Sequence, residues 1–285
     1  MVDTMTMNAT PNSPTDQDSP TTRMVTVRSG QRLRVSEQGI RSEVPFLLVN
    51  GLGASLDLFE PLRIELASRN TISFDVPGVG GSPRPPFPVP MSWYADIVGQ
   101  LLDELDLDQV DLLGLSWGGA LAQEVARTHQ ARIRRLILAA TMPGVGTVPG
   151  RPDALAVLAT PLRYYSPTYL EAISPTLYGG AIRTNPGLLK RHTHLRTTHP
   201  PNPAGYVAQM LAVSTWSSLP WAHTLTQQTL VLAGDDDPII PLVNGRILAR
   251  RIPNARLEIV KDGGHLFLAA RAAEVAPVIE SFLQE

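Results

Sequence analysis

The sequence predicts an α/β fold in which helices cover both faces of one mostly parallel central sheet. Short apolar runs, typical of strands buried on both faces, alternate along the chain with longer segments of helical periodicity. Several of these runs end at glycine, proline, asparagine or aspartate, where strands commonly give way to loops. Strands that alternate with helices pair in parallel through right-handed crossovers.

The individual elements are predicted as follows. Residues 24–39 (MVTVRSGQRLRVSEQG) form two short antiparallel strands that turn at Ser29 and Gly30. Six apolar runs then predict buried strands at residues 46–49, 71–75, 110–115, 136–140, 229–233 and 257–260. Helical periodicity predicts helices at residues 56–67, 93–105, 120–129, 243–251 and 271–283.

The length and composition exclude several classes of protein. A chain of 285 residues with 43% hydrophobic and 18% charged residues can bury a core without a disulfide or a metal ion. The 24 basic and 26 acidic side chains leave a net charge of −2, which argues against a nucleic-acid-binding protein. The chain has no cysteine, so disulfides, thiolate metal sites and a cysteine nucleophile are excluded. No apolar run approaches the roughly 18 residues of a membrane span.

Residues 1–20 differ in composition from the rest of the chain. They carry three aspartates but neither a basic residue nor an apolar run, whereas a secretory signal needs a positive start and an apolar stretch. We therefore expect a disordered tail on a cytoplasmic protein.

Residues 142–225 interrupt the alternation of strands and helices. They hold five of the six tyrosines but no strand-like apolar run, and residues 141–223 have six basic against two acidic side chains. Because large aromatic side chains need to be buried, we expect a helical cap over the strand ends rather than a long surface excursion. The α/β core is then divided into a first part, residues 21–141, and a second part, residues 226–285.

The segment GLSWG, residues 114–118, is the strongest local signal of chemistry. It follows a predicted strand and precedes a predicted helix. A serine on such a sharp strand-to-helix turn projects its hydroxyl above the sheet, and the flanking glycines relieve the crowding. The free N–H groups and the positive dipole end of the helix point towards that hydroxyl. Ser116 is therefore the predicted nucleophile, and the alternative is a glycine-rich connection with a capping serine.

A serine hydroxyl needs a base to remove its proton, and His265 is the predicted base. Among the six histidines it alone follows a predicted strand late in the chain, which gives the order serine, acid, histidine that this fold class uses. His192 and His194 form an H-x-H pair without a nearby carboxylate, so we expect a solvated helix face rather than a metal site. No metal ion and no cofactor are expected. His129 is expected to end the helix that follows Ser116.

The third member of such a site is a carboxylate that fixes the imidazole tautomer. The loop after the predicted strand 229–233 supplies Asp235, Asp236 and Asp237, and spacing alone does not choose among them. Asp262 lies close to His265 in the sequence, but it precedes two glycines and is more simply a turn residue.

Two backbone N–H groups are needed to bind the oxyanion of an acyl-transfer reaction. One is expected from Trp117, the residue after the nucleophile, and the other from Leu52 in the loop 50–55 after the third strand. The glycines of that loop allow its backbone to approach a substrate closely.

A dinucleotide site is disfavoured. Gly51 and Gly53 could open a G-x-G-x-x-G pattern with Asp75 as the ribose-binding acid, but the third glycine position holds Leu56. In the second glycine-rich stretch, residues 78–81, the corresponding position holds Pro83, and no phosphate loop is present.

Together these motifs resemble the α/β-hydrolase superfamily from about Val25 to the end of the chain. The matching segments, in the order of the superfamily, are NGLGAS, FDVPGVGGS, GLSWGGA, AGDDDPIIP and GGHLF. The superfamily places its acid three residues after the glycine and just before a Pro-x-x-Pro segment. The resemblance therefore implies Asp237 as the acid beside Ser116 and His265, on an α/β-hydrolase fold.

Within the superfamily the chain is similar to intracellular poly(3-hydroxyalkanoate) depolymerases of the medium-chain-length type. The similarity is carried by FDVPGVGGS, GLSWGGALAQE, SPTLYGGAIR, TLVLAGDDDPIIPLVNGRILARRIPNARLEIV and GGHLFL. The polar tail, an extra glycine before His265 and residues 192–203 depart from the family pattern. The resemblance implies hydrolysis of a storage polyester to 3-hydroxy acids through an acyl-enzyme. It implies a hydrophobic ester or polyester as the substrate, with association with the polymer granule left open.

Two alternatives stay open. A general carboxylesterase or a carbon–carbon bond hydrolase of the same fold would use the same three residues. A non-catalytic ligand-binding or granule-coating protein would need none of them. Dehalogenase and epoxide-hydrolase chemistry would want an aspartate nucleophile, and Ser116 argues against both.

Overall fold

The centre of the protein is an eight-stranded sheet with the order β1-β2-β4-β3-β5-β6-β7-β8. The computed structural model describes residues 20–39 and 44–285, so the predicted tail lies outside the described residues except for Pro20. The pairs β1–β2 and β2–β4 are antiparallel, and the remaining pairs are parallel, which confirms the predicted α/β class. The strands are β1 Thr21–Thr26, β2 Arg32–Gln38, β3 Phe46–Val49, β4 Thr71–Phe74, β5 Val110–Leu115, β6 Ile133–Ala139, β7 Gln228–Gly234 and β8 Ala255–Val260.

Burial explains which strands were easiest to predict. Every residue of β3, β4 and β5 is buried, so these strands are continuous apolar or small-residue runs. The strand β6 begins at Ile133, earlier than the predicted 136, because Arg134 interrupts the apolar pattern. Its guanidinium Nε donates to Oδ1 of the buried Asp111 in β5 at 2.8 Å. The first residues of β6 are therefore held by an ion pair with β5 and do not form an apolar run that would predict a strand.

Helices cover both faces of the sheet. Apolar side chains of α2, α3 and α9 pack on one face, and those of α1, α10 and α11 pack on the other. None of the helices within the described residues is long and apolar enough to cross a bilayer. The helices are α1 Glu60–Glu65, α2 Met91–Glu104, α3 Trp117–Thr128, α9 Leu242–Arg251, α10 Phe267–Ala270 and α11 Ala272–Gln284.

One predicted helix, residues 56–67, is divided in the structure. A 3-10 turn over Leu56–Phe59 comes first, and α1 begins at Glu60 with Pro61 in its first turn. Proline lacks an N–H and suits only the first turn of a helix, so α1 begins anew at this point.

Residues 142–225, hereafter the helical segment, lie between β6 and β7 and contribute no strand to the sheet. Several of the helices start with proline, and the side chains of Ser166, Asn185 and Asn202 accept hydrogen bonds from the first turns of α5, α7 and α8. Leu170 and Leu177 pack with apolar residues of the core loops. The helices are α4 Pro152–Leu158, α5 Pro167–Tyr178, α6 Gly180–Thr184, α7 Pro186–Thr198 and α8 Pro203–Ser214.

Asp75, which a nucleotide site would have required at the end of β4, has a structural role instead. Its carboxylate is fully buried and accepts hydrogen bonds from Leu56 N at 2.7 Å, Gly81 N at 2.8 Å and Arg34 Nη1 at 3.2 Å. These contacts tie the loop after β3 to the loop after β4. Asp75 therefore fixes the end of the loop that contains Leu52.

Replacing Asp75 with asparagine should destabilise the protein by about 3 kcal/mol, because an amide N–H₂ would face a backbone N–H or the Arg34 guanidinium. Urea unfolding measures this loss. Asp153→Asn is the control, since Asp153 forms its ion pair with Arg151 at the surface, where such pairs add little to stability. Equal midpoints for the two variants would contradict the assigned role.

Candidate active site

Four loops at the carboxyl end of the parallel strands meet at one place. The loop 50–55 follows β3, Ser116 follows β5, Asp237 lies after β7 and His265 lies after β8. Carboxyl ends of parallel strands lie at the same edge of a sheet, where open α/β folds bind their ligands. The helical segment leaves the sheet at this edge too, after β6.

Ser116 occupies a strained turn between β5 and α3. Its backbone has φ 55° and ψ −116°, a conformation that costs a residue other than glycine on the order of 1–3 kcal/mol. The turn is possible because its neighbours are glycines. A Cβ on Gly114 would lie 2.3 Å from the Gly118 carbonyl oxygen, and one on Gly118 would lie 2.2 Å from the Val49 carbonyl oxygen. This turn places the Ser116 side chain at the N-terminus of α3.

Ser116, His265 and Asp237 form a hydrogen-bonded line. His265 Nε2 is 3.0 Å from Ser116 Oγ, and His265 Nδ1 is 2.8 Å from Asp237 Oδ2. Asp237 and His265 are 8% and 5% exposed, whereas Ser116 is partly exposed. The other Asp237 oxygen accepts from Ile239 N at 2.8 Å and from Ile240 N at 2.9 Å. Both carboxylate oxygens are thus held, and the imidazole can carry its proton on Nδ1 with Nε2 free to accept from Ser116.

The other candidate acids serve different purposes. Asp236 accepts from Gly180 N at 2.7 Å and pairs with Arg183, so it attaches the helical segment to the core. Asp235 is exposed. Asp262 has φ 54° in the turn before His265, which agrees with the turn expected from its sequence position.

The loop 50–55 lies directly beside Ser116. A Cβ on Gly51 would be 3.3 Å from Ser116 Cβ, so the loop backbone and the serine are in contact. Asn50 shapes the loop, since its side chain accepts from Gly51 N at 2.8 Å and donates to Ser55 O at 2.7 Å. Neither Leu52 N nor Trp117 N donates to an acceptor in the described part of the chain. Both N–H groups are therefore available to a ligand.

The helical segment holds this loop and the histidine in place, through contacts that sequence reasoning missed. Gln209 Oε1 accepts from Gly53 N at 2.9 Å, and the Gln209 carbonyl accepts from Trp117 Nε1 at 2.9 Å. The Tyr164 hydroxyl donates to the Leu52 carbonyl. The Tyr178 carbonyl accepts from His265 N at 2.7 Å. In the sequence, the only signal of these contacts was the concentration of tyrosines in residues 142–225.

A cavity of about 450 Å³ opens at this edge of the sheet and contains the Ser116 and His265 side chains. It is bounded by the core on one side and by the helical segment on the other. Apolar side chains dominate its wall, including Leu115, Met142, Val145, Leu158, Met210 and Ile239. The arrangement therefore suits an apolar substrate at a serine with an adjacent base.

The expectation for the H-x-H pair was wrong for one member. His194 is exposed on α7, but His192 is 4% exposed and accepts from Arg196 Nε at 3.2 Å. Burial, and then the charges of Arg196 and Arg163, lower the pKa of His192 well below its ordinary value. Within residues 20–39 and 44–285, no group of three His, Asp or Glu side chains could hold a metal ion.

Gly53→Ala should lower kcat about 100-fold, the effect of losing one oxyanion donor. Gly53 has φ +68°, and a Cβ there would lie 2.7 Å from Tyr206 Cδ2 and 2.9 Å from Tyr164 Cε2, so the loop would have to move. Gly30→Ala is the matched control, because Gly30 has φ +84° but nothing within 4 Å of a Cβ. Both variants carry a backbone strain of about 1–2 kcal/mol. An unchanged kcat in Gly53→Ala would exclude the loop from the site.

Comparison with known proteins places these features in a family context. The model of the alpha/beta hydrolase fold family matches residues 44–271. A poly(3-hydroxyalkanoate) depolymerase from Ectopseudomonas oleovorans is 45% identical over 262 residues, which cover 89% of this chain and 92% of that protein. A 2-hydroxymuconate semialdehyde hydrolase from Pseudomonas putida is 29% identical, covering 94% of this chain and 96% of that protein.

A solved structure gives a similar result. The crystal structure of the enol-lactonase from Burkholderia xenovorans LB400 superposes with a TM-score of 0.80 at 25% sequence identity. The match covers 92% of this chain and all of that one (100%). The likeness therefore extends over the sheet and the helical segment together.

Proposed function

The chain belongs to the alpha/beta hydrolase family, and from that premise we propose that it is a serine hydrolase that cleaves the ester bonds of a poly(3-hydroxyalkanoate). The hydrogen-bonded line from Ser116 through His265 to Asp237 is the observation that carries the proposal. The 45% identity to a depolymerase supports the choice of substrate.

The first half of the reaction forms an acyl-enzyme. Ser116 Oγ attacks the ester carbonyl carbon while His265 Nε2 takes the hydroxyl proton. Asp237 keeps the imidazole in the required tautomer and stabilises the imidazolium. The negative oxygen that develops is bound by the N–H groups of Leu52 and Trp117. The carbon–oxygen bond then breaks, and His265 gives its proton to the departing alkoxide, which leaves as the hydroxyl end of a 3-hydroxy acid or of a shorter chain.

The second half of the reaction releases the acyl group. A water molecule gives a proton to His265 Nε2 and attacks the acyl carbonyl, which again places negative charge beside Leu52 N and Trp117 N. The bond to Ser116 Oγ breaks, and the serine recovers its proton from His265. The second product is a carboxylic acid, and the protein returns to its starting state.

The helical segment acts in this proposal as the cap that receives the polymer. Seven of the twelve large apolar side chains that are exposed in the described residues belong to it: Val145, Val148, Leu155, Leu162, Tyr165, Val207 and Leu211. Three of these, Val145, Val148 and Leu155, also line the cavity. An exposed apolar surface that continues into the cavity suits adsorption to the surface of a polymer granule.

The direct test is the release of 3-hydroxy acids from amorphous particles of medium-chain polyester, with a series of short p-nitrophenyl esters run alongside. Release that depends on Ser116 is the expected result. Cleavage of the short esters without release from particles would leave a serine hydrolase but exclude the polymer as substrate. No cleavage of either substrate would favour a non-catalytic binding protein.

A second candidate is a carbon–carbon bond hydrolase, because the 2-hydroxymuconate semialdehyde hydrolase is also similar along almost the whole chain. Such an enzyme would use the same three residues. Turnover of a ring-cleavage product in the absence of ester cleavage would favour it.

A further inference from the structure

Two arginines of the helical segment are buried in the wall of the cavity without a carboxylate partner. Arg163 is 2% exposed and Arg196 is 7% exposed, and both line the cavity. Neither forms an ion pair with an acidic side chain of the described residues. Isolating a guanidinium from water is costly unless an anion or a full set of hydrogen bonds compensates. Neutral hydrogen-bond acceptors and tyrosine rings compensate the two charges in part, and no described carboxylate compensates the rest.

The neighbours of the two arginines are neutral. Arg163 Nη1 donates to the Tyr206 hydroxyl at 2.7 Å, and burial raises the pKa of Tyr206 to about 12, so this phenol carries no charge. Arg196 donates from Nε to His192 and from Nη1 to the Tyr164 hydroxyl. His192 is also uncharged, because burial and the two arginines lower its pKa. The tyrosine rings offer partial compensation, with Arg163 Cζ 4.7 Å and Arg196 Cζ 5.0 Å from the ring centroid of Tyr164.

Some buried polar atoms of this cluster also lack a hydrogen-bond partner in the described residues. The cluster comprises Arg163, Arg196, His192, Tyr164, Tyr178 and Tyr206. The buried Nε of Arg163 and the buried hydroxyl of Tyr178 have no partner in the described residues, although buried polar atoms are nearly always bonded. Tyr178 is 1% exposed and lines the same cavity. Two guanidinium groups and a phenol hydroxyl are the donors that a carboxylate accepts from.

The cluster adjoins both sides of the reaction centre. The Tyr164 hydroxyl donates to the Leu52 carbonyl of the loop 50–55, and the backbone carbonyl of Tyr178 accepts from His265 N. His265 protonates the departing alcohol in the proposed reaction. Ser116 and His265 line the same cavity as Arg163 and Arg196, so a carboxylate on the arginines would lie in the cavity from which the alcohol departs.

We propose that Arg163 and Arg196, with the Tyr178 hydroxyl, form a subsite for the free carboxylate of the chain end that leaves as the alcohol. The inference rests on the proposed ester hydrolysis. In a linear poly(3-hydroxy acid), the free carboxylate always belongs to the alcohol side of the terminal ester and is four bonds from the scissile carbonyl carbon. A carboxylate on the two arginines therefore selects the last ester bond, and each cycle releases one 3-hydroxy acid from the carboxyl end.

The test compares the linear dimer of 3-hydroxyoctanoic acid with its primary amide, whose carboxyl end is uncharged and adds no second ester bond. The parent protein is expected to cleave the free acid about 10- to 100-fold better in kcat/KM, the range for hydrogen bonds to a charged group. In Arg163→Gln and Arg196→Gln, this ratio is expected to fall towards one. The ratio is measured within each variant, so a general loss of activity does not affect it. A ratio near one in the parent protein would overturn the proposal.

Arg191→Gln is the matched control. Arg191 lies on the same helix as Arg196 but is exposed and pairs with Glu60 at 3.1 Å, so its removal changes the charge of α7 without changing the cavity. The control should keep the preference for the free acid. Loss of the preference in Arg191→Gln to the same extent as in Arg196→Gln would assign it to the overall charge of the helix and would contradict the subsite.

Binding separates failure of the subsite from failure of the proposed function. Calorimetric titration with 3-hydroxyoctanoate and with 3-hydroxyoctanamide requires no hydrolysis, because neither ligand contains an ester bond. If no ester is cleaved but the carboxylate binds at least tenfold more tightly than the amide, and Arg196→Gln removes the difference, the subsite stands and the ester-hydrolase function fails. If p-nitrophenyl esters are cleaved but the two ligands bind equally, the hydrolase stands and the subsite is wrong.

Discussion

Ser116→Ala is expected to lower turnover roughly a million-fold, which is the loss seen when the nucleophile of a serine, histidine and acid set that acts as a unit is removed. Ser116 Oγ is the atom that would form the covalent bond to the substrate, and His265 Nε2 lies 3.0 Å from it. Without the hydroxyl, His265 has no nucleophile to activate. Turnover of a p-nitrophenyl ester under saturating conditions measures the effect, because the released phenol is detected directly.

The fold should survive this change, since alanine and serine carry the same backbone strain at φ 55°. Circular dichroism and the thermal midpoint check this. Ser281→Ala is a suitable control, because Ser281 is exposed on α11 and does not line the cavity. Turnover of the control should remain close to that of the parent protein. Retention of most activity in Ser116→Ala would remove Ser116 from the mechanism.

Asp237→Asn is expected to lower kcat about ten thousand-fold. The asparagine would fit the same space, with one atom still accepting from Ile239 N and Ile240 N, which are 2.8 Å and 2.9 Å from Asp237 Oδ1. Its N–H₂ group would then face His265 Nδ1 and donate to it. The imidazole would carry its proton on Nε2, the nitrogen that must accept from Ser116. Initial rates with the same p-nitrophenyl ester measure this loss.

Asp236→Asn is the matched control for the choice of acid. Asp236 has the same side chain and an adjacent position, but its carboxylate bonds to Gly180 N and Arg183 of the helical segment. Weakening these contacts should affect substrate affinity and stability more than kcat. A greater loss of kcat in Asp236→Asn than in Asp237→Asn would show that the acid was chosen wrongly.

Local sequence patterns were sufficient for the sheet and for two members of the candidate site. The buried strands are continuous apolar runs, and the turn at Ser116 needs glycines that are visible in the sequence. His265 follows from its position after the last strand. The choice of Asp237 over Asp236 could not be made from spacing, because both are in one loop and only the direction of each side chain distinguishes them.

The contacts of the helical segment could not be predicted from local patterns. Arg163, His192 and Arg196 are charged or polar residues that a local pattern assigns to a solvated surface, and their burial depends on the packing of α7 and the turn over Leu162–Tyr164 against the cavity. The support of Leu52 by Tyr164 joins residues that are 112 positions apart. Such pairs are decided by tertiary structure and leave no periodic signal.

The contacts from Gln209 and Tyr178 to the core have a consequence for protein engineering. A module that merely covers a site can be exchanged between relatives to change substrate preference. Here the helical segment supplies the acceptors for Gly53 N, the Trp117 indole and His265 N. A transplanted segment that lacked these acceptors would change the substrate contacts but would leave the loop 50–55 and His265 without this support. Chimeras should therefore retain these acceptors. The recombination points should be chosen so that the exchanged parts exclude them, rather than at the two ends of the segment.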